Sequence, residues 1–170
     1  MSTLEPRPTS KALVIATHNQ GKVREIETLL AGSGWDVRSL DPEVPEVPET
    51  GTTFAANARA KALYYAGHTG MAALADDSGL EIDALGGEPG VRSARYVHPD
   101  LSPAQRNLEI LARLRDLPAR DRGARFVCHL VLAMPDKVVH ETTGTCGGRI
   151  AGSATRSRPW RPSVTPSATQ

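Results

Sequence analysis

Three groups of side chains could carry chemistry by their type and spacing. The first is Thr17-His18-Asn19-Gln20-Gly21-Lys22, which follows the apolar run ALVIA at residues 12–16 and precedes Val23, Ile26, Leu29 and Leu30 at helical spacing. A loop between a buried strand and a helix N-terminus presents backbone donors and the positive end of the helix dipole, a setting that suits a phosphate. Lys22 would add a point charge. The segment is not a P-loop, because the first glycine of that pattern is absent and Val23 stands where Ser or Thr would hold magnesium. A capped turn with a solvated lysine is the plainer alternative.

The second group is acidic. Glu49 ends a proline-rich stretch, and Asp76 and Asp77 follow the apolar run at residues 71–75, where the sequence places the C-terminal end of a strand. Mg²⁺ takes hard oxygen ligands and keeps several waters, so two or three converging carboxylates plus substrate phosphates suffice to hold it. Adjacent residues on extended backbone point in different directions, so one aspartate could bind metal while the other acts as base or fixes the loop. An Asx-turn at a strand end is the alternative for a lone Asp-Asp-Ser-Gly.

Asn57 and Lys61 form the third group, four residues apart on one face of an expected helix and within reach of phosphate oxygens. Taken alone they also fit a solvated helix face. The five histidines and two cysteines give no metal-ligand spacing, since Cys128 and His129 are strand neighbours facing opposite ways. No Gly-x-Ser-x-Gly elbow is present, and Gly86-Gly87-Glu88-Pro89-Gly90 lacks the strand-to-helix setting of a dinucleotide fingerprint and reads as a sharp loop.

The elements that must position these groups alternate along the chain. Strands are expected at residues 12–16, 35–40, 71–75, 126–134 and 138–143, the last two joined by a tight turn at Pro135-Asp136. Helices are expected after Lys22 until Gly32, and over residues 53–66, where Phe54, Ala58, Ala62 and Tyr65 share a stripe that Gly67 and Gly70 end. A third opens at Ser102-Pro103-Ala104-Gln105, which supplies an N-cap, a first-turn proline and a capping-box glutamine, and continues with Leu108, Leu111 and Leu114. Such alternation predicts an α/β domain with a mixed sheet over residues 11–152, preceded by a flexible arm at 1–10 and followed by a disordered tail at 153–170.

With 170 residues, the chain can bury one proper core. Its formal charge of +1 includes three arginines and no acid in residues 153–170, leaving −2 for the remainder, which argues against a broad nucleic-acid-binding face. No long apolar run suggests a signal peptide or membrane span, so a cytoplasmic protein with reduced thiols is expected.

The phrases ATHNQGKVREI, ETGTTFAANARAKA and ADDSGLEIDALGGEPGVRSARY, in this order, resemble the signature series of the inosine/xanthosine triphosphate pyrophosphatase family, over roughly residues 13–150. The resemblance implies an elongated mixed sheet flanked by helices, two lobes around a cleft, and a homodimer. It also implies Mg²⁺-dependent hydrolysis of inosine, deoxyinosine and xanthosine triphosphates to monophosphate and pyrophosphate, a sanitation of the nucleotide pool. Carried over by motif, residues 17–22 and Lys61 would hold the triphosphate, Ser78 would touch substrate, and Glu49 and Asp77 would bind metal. Asp77 would also orient or deprotonate the attacking water, and Asp76 would support the metal.

The family pattern continues with an arginine-glycine stretch, a Gly-Phe-Gly-Tyr-Asp-Pro motif, a lysine and a Ser-His-Arg motif, which together recognise the purine; none occurs here. The expectation is therefore that the family's terminal strands and helix are missing and that a frameshift supplied the ending after about Gly152. An alternative reading is a truncated, non-catalytic nucleotide-binding remnant. A further one is a different α/β phosphohydrolase with Asp76 or Asp77 as covalent nucleophile.

Overall fold

In the computed structural model, which describes residues 11–153, the apolar run forms strand β1 (Lys11–Ile15), and helix α1 (Gln20–Leu30) follows at once. The Asn19 side chain caps α1 by accepting from the backbone N–H groups of Gly21 and Lys22, so Gln20 to Lys22 lie in its first turn rather than in a loop. Strand β2 (Trp35–Ser39) pairs parallel to β1. Helix α2 (Phe54–Thr69) is capped by the Thr53 hydroxyl and closed by Gly70, whose φ of 68° is the left-handed turn that glycine adopts without strain. Gly67 does not end this helix, because one glycine costs only about 1 kcal/mol while Tyr65 and Ala66 are buried around it.

Strand β3 (Ala72–Ile82) runs parallel to β1 and antiparallel to β4 (Gly123–Met134), which pairs in turn with β5 (Lys137–Arg149). The result is one mixed sheet of order β2-β1-β3-β4-β5. Asp76 and Asp77 were expected where a strand ends, yet β3 continues through them to Ile82. Their ladder partners Leu130 and His129 on β4 satisfy the backbone there, so the acids lie mid-strand. The β4–β5 hairpin turns at Pro135-Asp136 as expected, and β5 extends six residues beyond the expected end at Thr143.

Two cores occupy the two ends of β3. At one end, Ala58, Ala62, Tyr65 and Ala66 of α2 pack on Val14, Ala16, Ala73, Ala75, Val131 and Ala133. Alanines at the sheet let the helix approach closely, and burial of Tyr65 and the aliphatic groups supplies roughly 1.5–3 kcal/mol for each large side chain. At the other end, Ile82, Tyr96, Ile110, Leu114 and Ala124 gather beneath helix α3 (Pro103–Arg113), whose Ser102–Gln105 capping box forms as its sequence indicates. Leu108 is exposed, and the seam of α3 runs instead through Ile110 and Leu114. Asp76, Asp77 and Ser78 lie on β3 between Ala75 of the first core and Ile82 of the second. The arm at 1–10 lies outside the described residues, as does the tail expected at 153–170 beyond Ser153 itself.

Candidate active site

Alternation along β3 sends Asp77 toward α2 and its neighbours Asp76 and Ser78 toward α1, so the predicted residues assemble into two clusters on either side of one strand. On the α2 side, Asp77 is buried. Its Oδ2 accepts from Asn57 Nδ2 at 2.8 Å and its Oδ1 from the Ser78 backbone N–H at 2.9 Å. The Asn57 Oδ1 accepts in turn from the Gly51 backbone N–H at 2.8 Å. The carbonyl and one hydrogen of this amide are thus engaged and the residue is only 2% exposed, so here Asn57 braces Asp77 rather than lining the cavity. It positions Asp77 against the loop that carries Glu49.

Glu49 is held by two cations. Lys61 Nζ lies 2.8 Å from Oε1, and Arg95 Nη1 lies 3.4 Å from Oε2 while Nη2 donates to the Glu49 carbonyl at 3.0 Å. Burial opposes ionisation of Glu49, but the contacts with Lys61 and Arg95 outweigh it and leave its carboxyl below the usual value. For Asp77 the balance is reversed: burial raises its pKa, the Asn57 bond opposes that rise, and the charge of Glu49 adds to it.

Thr17 and His18 lie on this side too. With Glu46, Glu49, Lys61, Tyr65 and Arg95 they line a polar cavity of about 470 Å³. Tyr65 shapes its wall by donating to the Pro45 carbonyl at 3.3 Å and accepting from the Val47 N–H at 3.3 Å, which pins the proline-rich loop onto α2. His18 packs edge-on to Tyr65, and its buried Nε2 has no hydrogen-bond partner among the described residues.

On the α1 side, Lys22 Nζ reaches Asp76 Oδ2 at 2.6 Å and Ser78 Oγ at 3.3 Å, and the Ser78 hydroxyl donates to Asp76 Oδ2 at 3.2 Å. Asp76 therefore points away from Glu49 and anchors Lys22; it does not support the Glu49–Asp77 pair directly. Its Oδ1 is buried without a partner among the described residues. This trio closes one end of a groove of about 950 Å³ whose walls include Leu80, Phe126 and Leu130. Asn19, Gln20 and Gly21 are exposed at the turn that joins the two sides. Cys128 and Cys146, both free thiols, lie on the groove wall.

No group of three or more His, Cys, Asp or Glu side chains converges on a metal position among the described residues. A closed protein cage is therefore not built here. Hard carboxylate oxygens are present at Glu49 and Asp77, and Mg²⁺ is commonly held by one or two carboxylates together with waters and substrate phosphates. Arg95 had no assigned role in the sequence reading. Its signal there was only indirect, a cation in the third signature phrase, since nothing in the spacing of residues 49 and 95 announces that they meet.

The chain is similar to known proteins over most of its length. A sequence profile described as the Ham1 family matches residues 13–161. A protein of Symbiobacterium thermophilum named dITP/XTP pyrophosphatase is 48% identical over 143 residues, 84% of this chain and 72% of the relative. One of Gloeobacter violaceus with the same name is 51% identical over 138 residues, covering 81% of this chain and 68% of the relative. Among solved structures, a nucleoside-triphosphatase / dITP/XTP pyrophosphatase from Mycobacterium abscessus superposes with a TM-score of 0.71 at 39% identity, covering 88% of this chain and 79% of that one.

Proposed function

This chain belongs to the Ham1 family, and from that premise we propose that it hydrolyses inosine, deoxyinosine and xanthosine triphosphates to the nucleoside monophosphate and pyrophosphate. The names of the similar proteins supply the substrate class. The observation that carries the reading is Asp77, a buried carboxylate braced by Asn57, whose pKa is raised by burial and by the charge of Glu49, the residue that lines a polar cavity together with the cations Lys61 and Arg95.

In this reading Glu49 and Asp77 would hold Mg²⁺, whose contribution would be to neutralise phosphate charge and make a water more acidic. Asp77 would accept a proton from the attacking water as the water oxygen bonds to the α-phosphorus, and the bond between the α-phosphorus and the bridging oxygen breaks to release pyrophosphate. Lys61, Thr17 and His18 face the cavity that would take the phosphate chain. Lys22, fixed by Asp76, and Ser78 would meet the substrate from the other edge of β3.

No helix among the described residues is long and apolar enough to cross a membrane. Action on a free nucleotide pool fits a cytoplasmic enzyme, and the family resemblance suggests a homodimer. The decisive experiment follows pyrophosphate release from inosine triphosphate with Mg²⁺, with excess chelator and Asp77→Asn as controls. Release that persists in either control, or none from the wild-type protein at high concentration, would refute the proposal.

A further inference from the structure

The Arg95 guanidinium has two attachments of unequal quality. Nη2 donates to the Glu49 carbonyl at 3.0 Å, whereas Nη1 meets the Glu49 carboxylate only at 3.4 Å, near the limit of a hydrogen bond. Lys61 already satisfies the same carboxylate at 2.8 Å, so Glu49 has a closer cation without Arg95. The Lys61 side chain is 12% exposed and that of Arg95 38% exposed, which makes Arg95 the accessible cation of the cavity they share with Thr17 and His18. An arginine carries five N–H donors in a planar fork, and among the described residues the two contacts here leave the others uncommitted. A planar fork matches phosphate geometry better than a lysine does.

Building on the hydrolase reading, we propose that Arg95 binds the pyrophosphate portion of the triphosphate, exchanging its long contact with the Glu49 carboxylate for phosphate oxygens while remaining anchored on the Glu49 carbonyl. The exchange has an electrostatic reason. When a cation occupies the Glu49 carboxylate, a nearby guanidinium there is repelled, and the phosphate chain arriving in the same cavity offers the compensating negative charge. Arg95 in this role couples occupation of Glu49 to capture of the phosphates, and it retains a hold on the departing pyrophosphate.

Calorimetric titration of the full chain with inorganic pyrophosphate in Mg²⁺ tests this directly, using Arg95→Ala and Arg95→Lys and recording a melting temperature for each. The expected result is a loss of pyrophosphate affinity of about tenfold or more in Arg95→Ala. Arg95→Lys should fall between that variant and wild type, and the melting temperatures should be little changed. Affinity in Arg95→Ala equal to wild type overturns the assignment. So does a loss in both variants that tracks a fall in melting temperature, which would mean that Arg95 only staples the Glu49 loop. A wild-type protein that neither hydrolyses inosine triphosphate nor binds pyrophosphate defeats the hydrolase reading itself. An active wild type with an unaffected Arg95→Ala defeats this inference alone.

Discussion

Asn57 and Asp77 are joined across the α2–β3 interface by a hydrogen bond of 2.8 Å, and the other end of the same amide accepts from the Gly51 N–H. One side chain thereby fixes both the carboxylate assigned as base and the loop carrying Glu49. Its replacement by alanine leaves a buried carboxylate oxygen and a part-buried N–H without partners, a loss of roughly 1–3 kcal/mol. Asn57→Ala should therefore melt at a lower temperature and also lose kcat at temperatures where it remains folded. Asn57→Asp should be worse on both measures, since it sets a second carboxylate against Asp77. An Asn57→Ala protein with wild-type kcat would show that the bond does not position the base.

Asp77 should titrate above the ordinary aspartate value in the metal-free protein, because burial and the Glu49 charge both disfavour its ionised form. The Asn57 bond works in the opposite direction, so Asn57→Ala should raise the value further and Glu49→Gln should lower it. Carbon-detected NMR titration of the Asp77 carboxyl in chelator reads all three. In turnover, Asp77→Asn removes the proton acceptor and a metal ligand together, and a rate loss of at least about 10²- to 10⁴-fold is expected.

The strand, helix and capping signals near the site were readable locally. Ser102 caps its helix as its residue type indicates and the Phe54–Ala58–Ala62–Tyr65 stripe is buried as its spacing requires, whereas the caps at Asn19 and Thr53 are seen only in the structure. What local reading could not supply is pairing. The apolar run before Asp76 looks complete, and only the β4 ladder explains why β3 passes through two acids. Likewise, Asn57 and Lys61 share a helix face in sequence, yet one is consumed by Asp77 and Gly51 while the other reaches Glu49. Asp76 shows the same limit: alternation predicts that it diverges from Asp77, but not that Lys22 is waiting on that side. Arg95 meets Glu49 across 46 residues of chain, a contact set by tertiary packing alone.

Gly79 is required by close approach. A Cβ at this position would lie 2.5 Å from both the Gly90 carbonyl oxygen and Ser93 Oγ, and 3.0 Å from the Phe54 ring. Two of these neighbours are held: the carbonyl is backbone, and the Ser93 hydroxyl bonds to the Gly90 carbonyl and the Leu80 N–H. Gly79→Ala should thus force β3 and the turn at residues 90–95 apart, with a loss of about 1–3 kcal/mol. Because Arg95 ends that turn, pyrophosphate release should fall as well. Gly144→Ala on β5, where an added methyl meets nothing within 4 Å, is the control and should be near neutral. Equal melting temperatures for the two variants would contradict the packing argument.

The Lys61–Glu49 ion pair should contribute stability in a pH-dependent way whose sign follows from the lowered Glu49 pKa. A carboxylate with a folded-state pKa below its unfolded value stabilises the fold above the unfolded value, and that contribution disappears as pH falls through the folded one. Lys61→Met keeps the apolar stem and removes the charge, leaving Arg95 as the remaining partner. The variant should be less stable than wild type by about 1 kcal/mol near neutral pH, a modest figure because Glu49 is part-exposed. The difference should shrink as pH drops below the ordinary glutamate range and vanish once Glu49 is protonated in both proteins. Urea unfolding of wild type and Lys61→Met at several pH values measures it. A difference that stays constant into strong acid would mean that the lysine stem, rather than its charge on Glu49, supplies the stability.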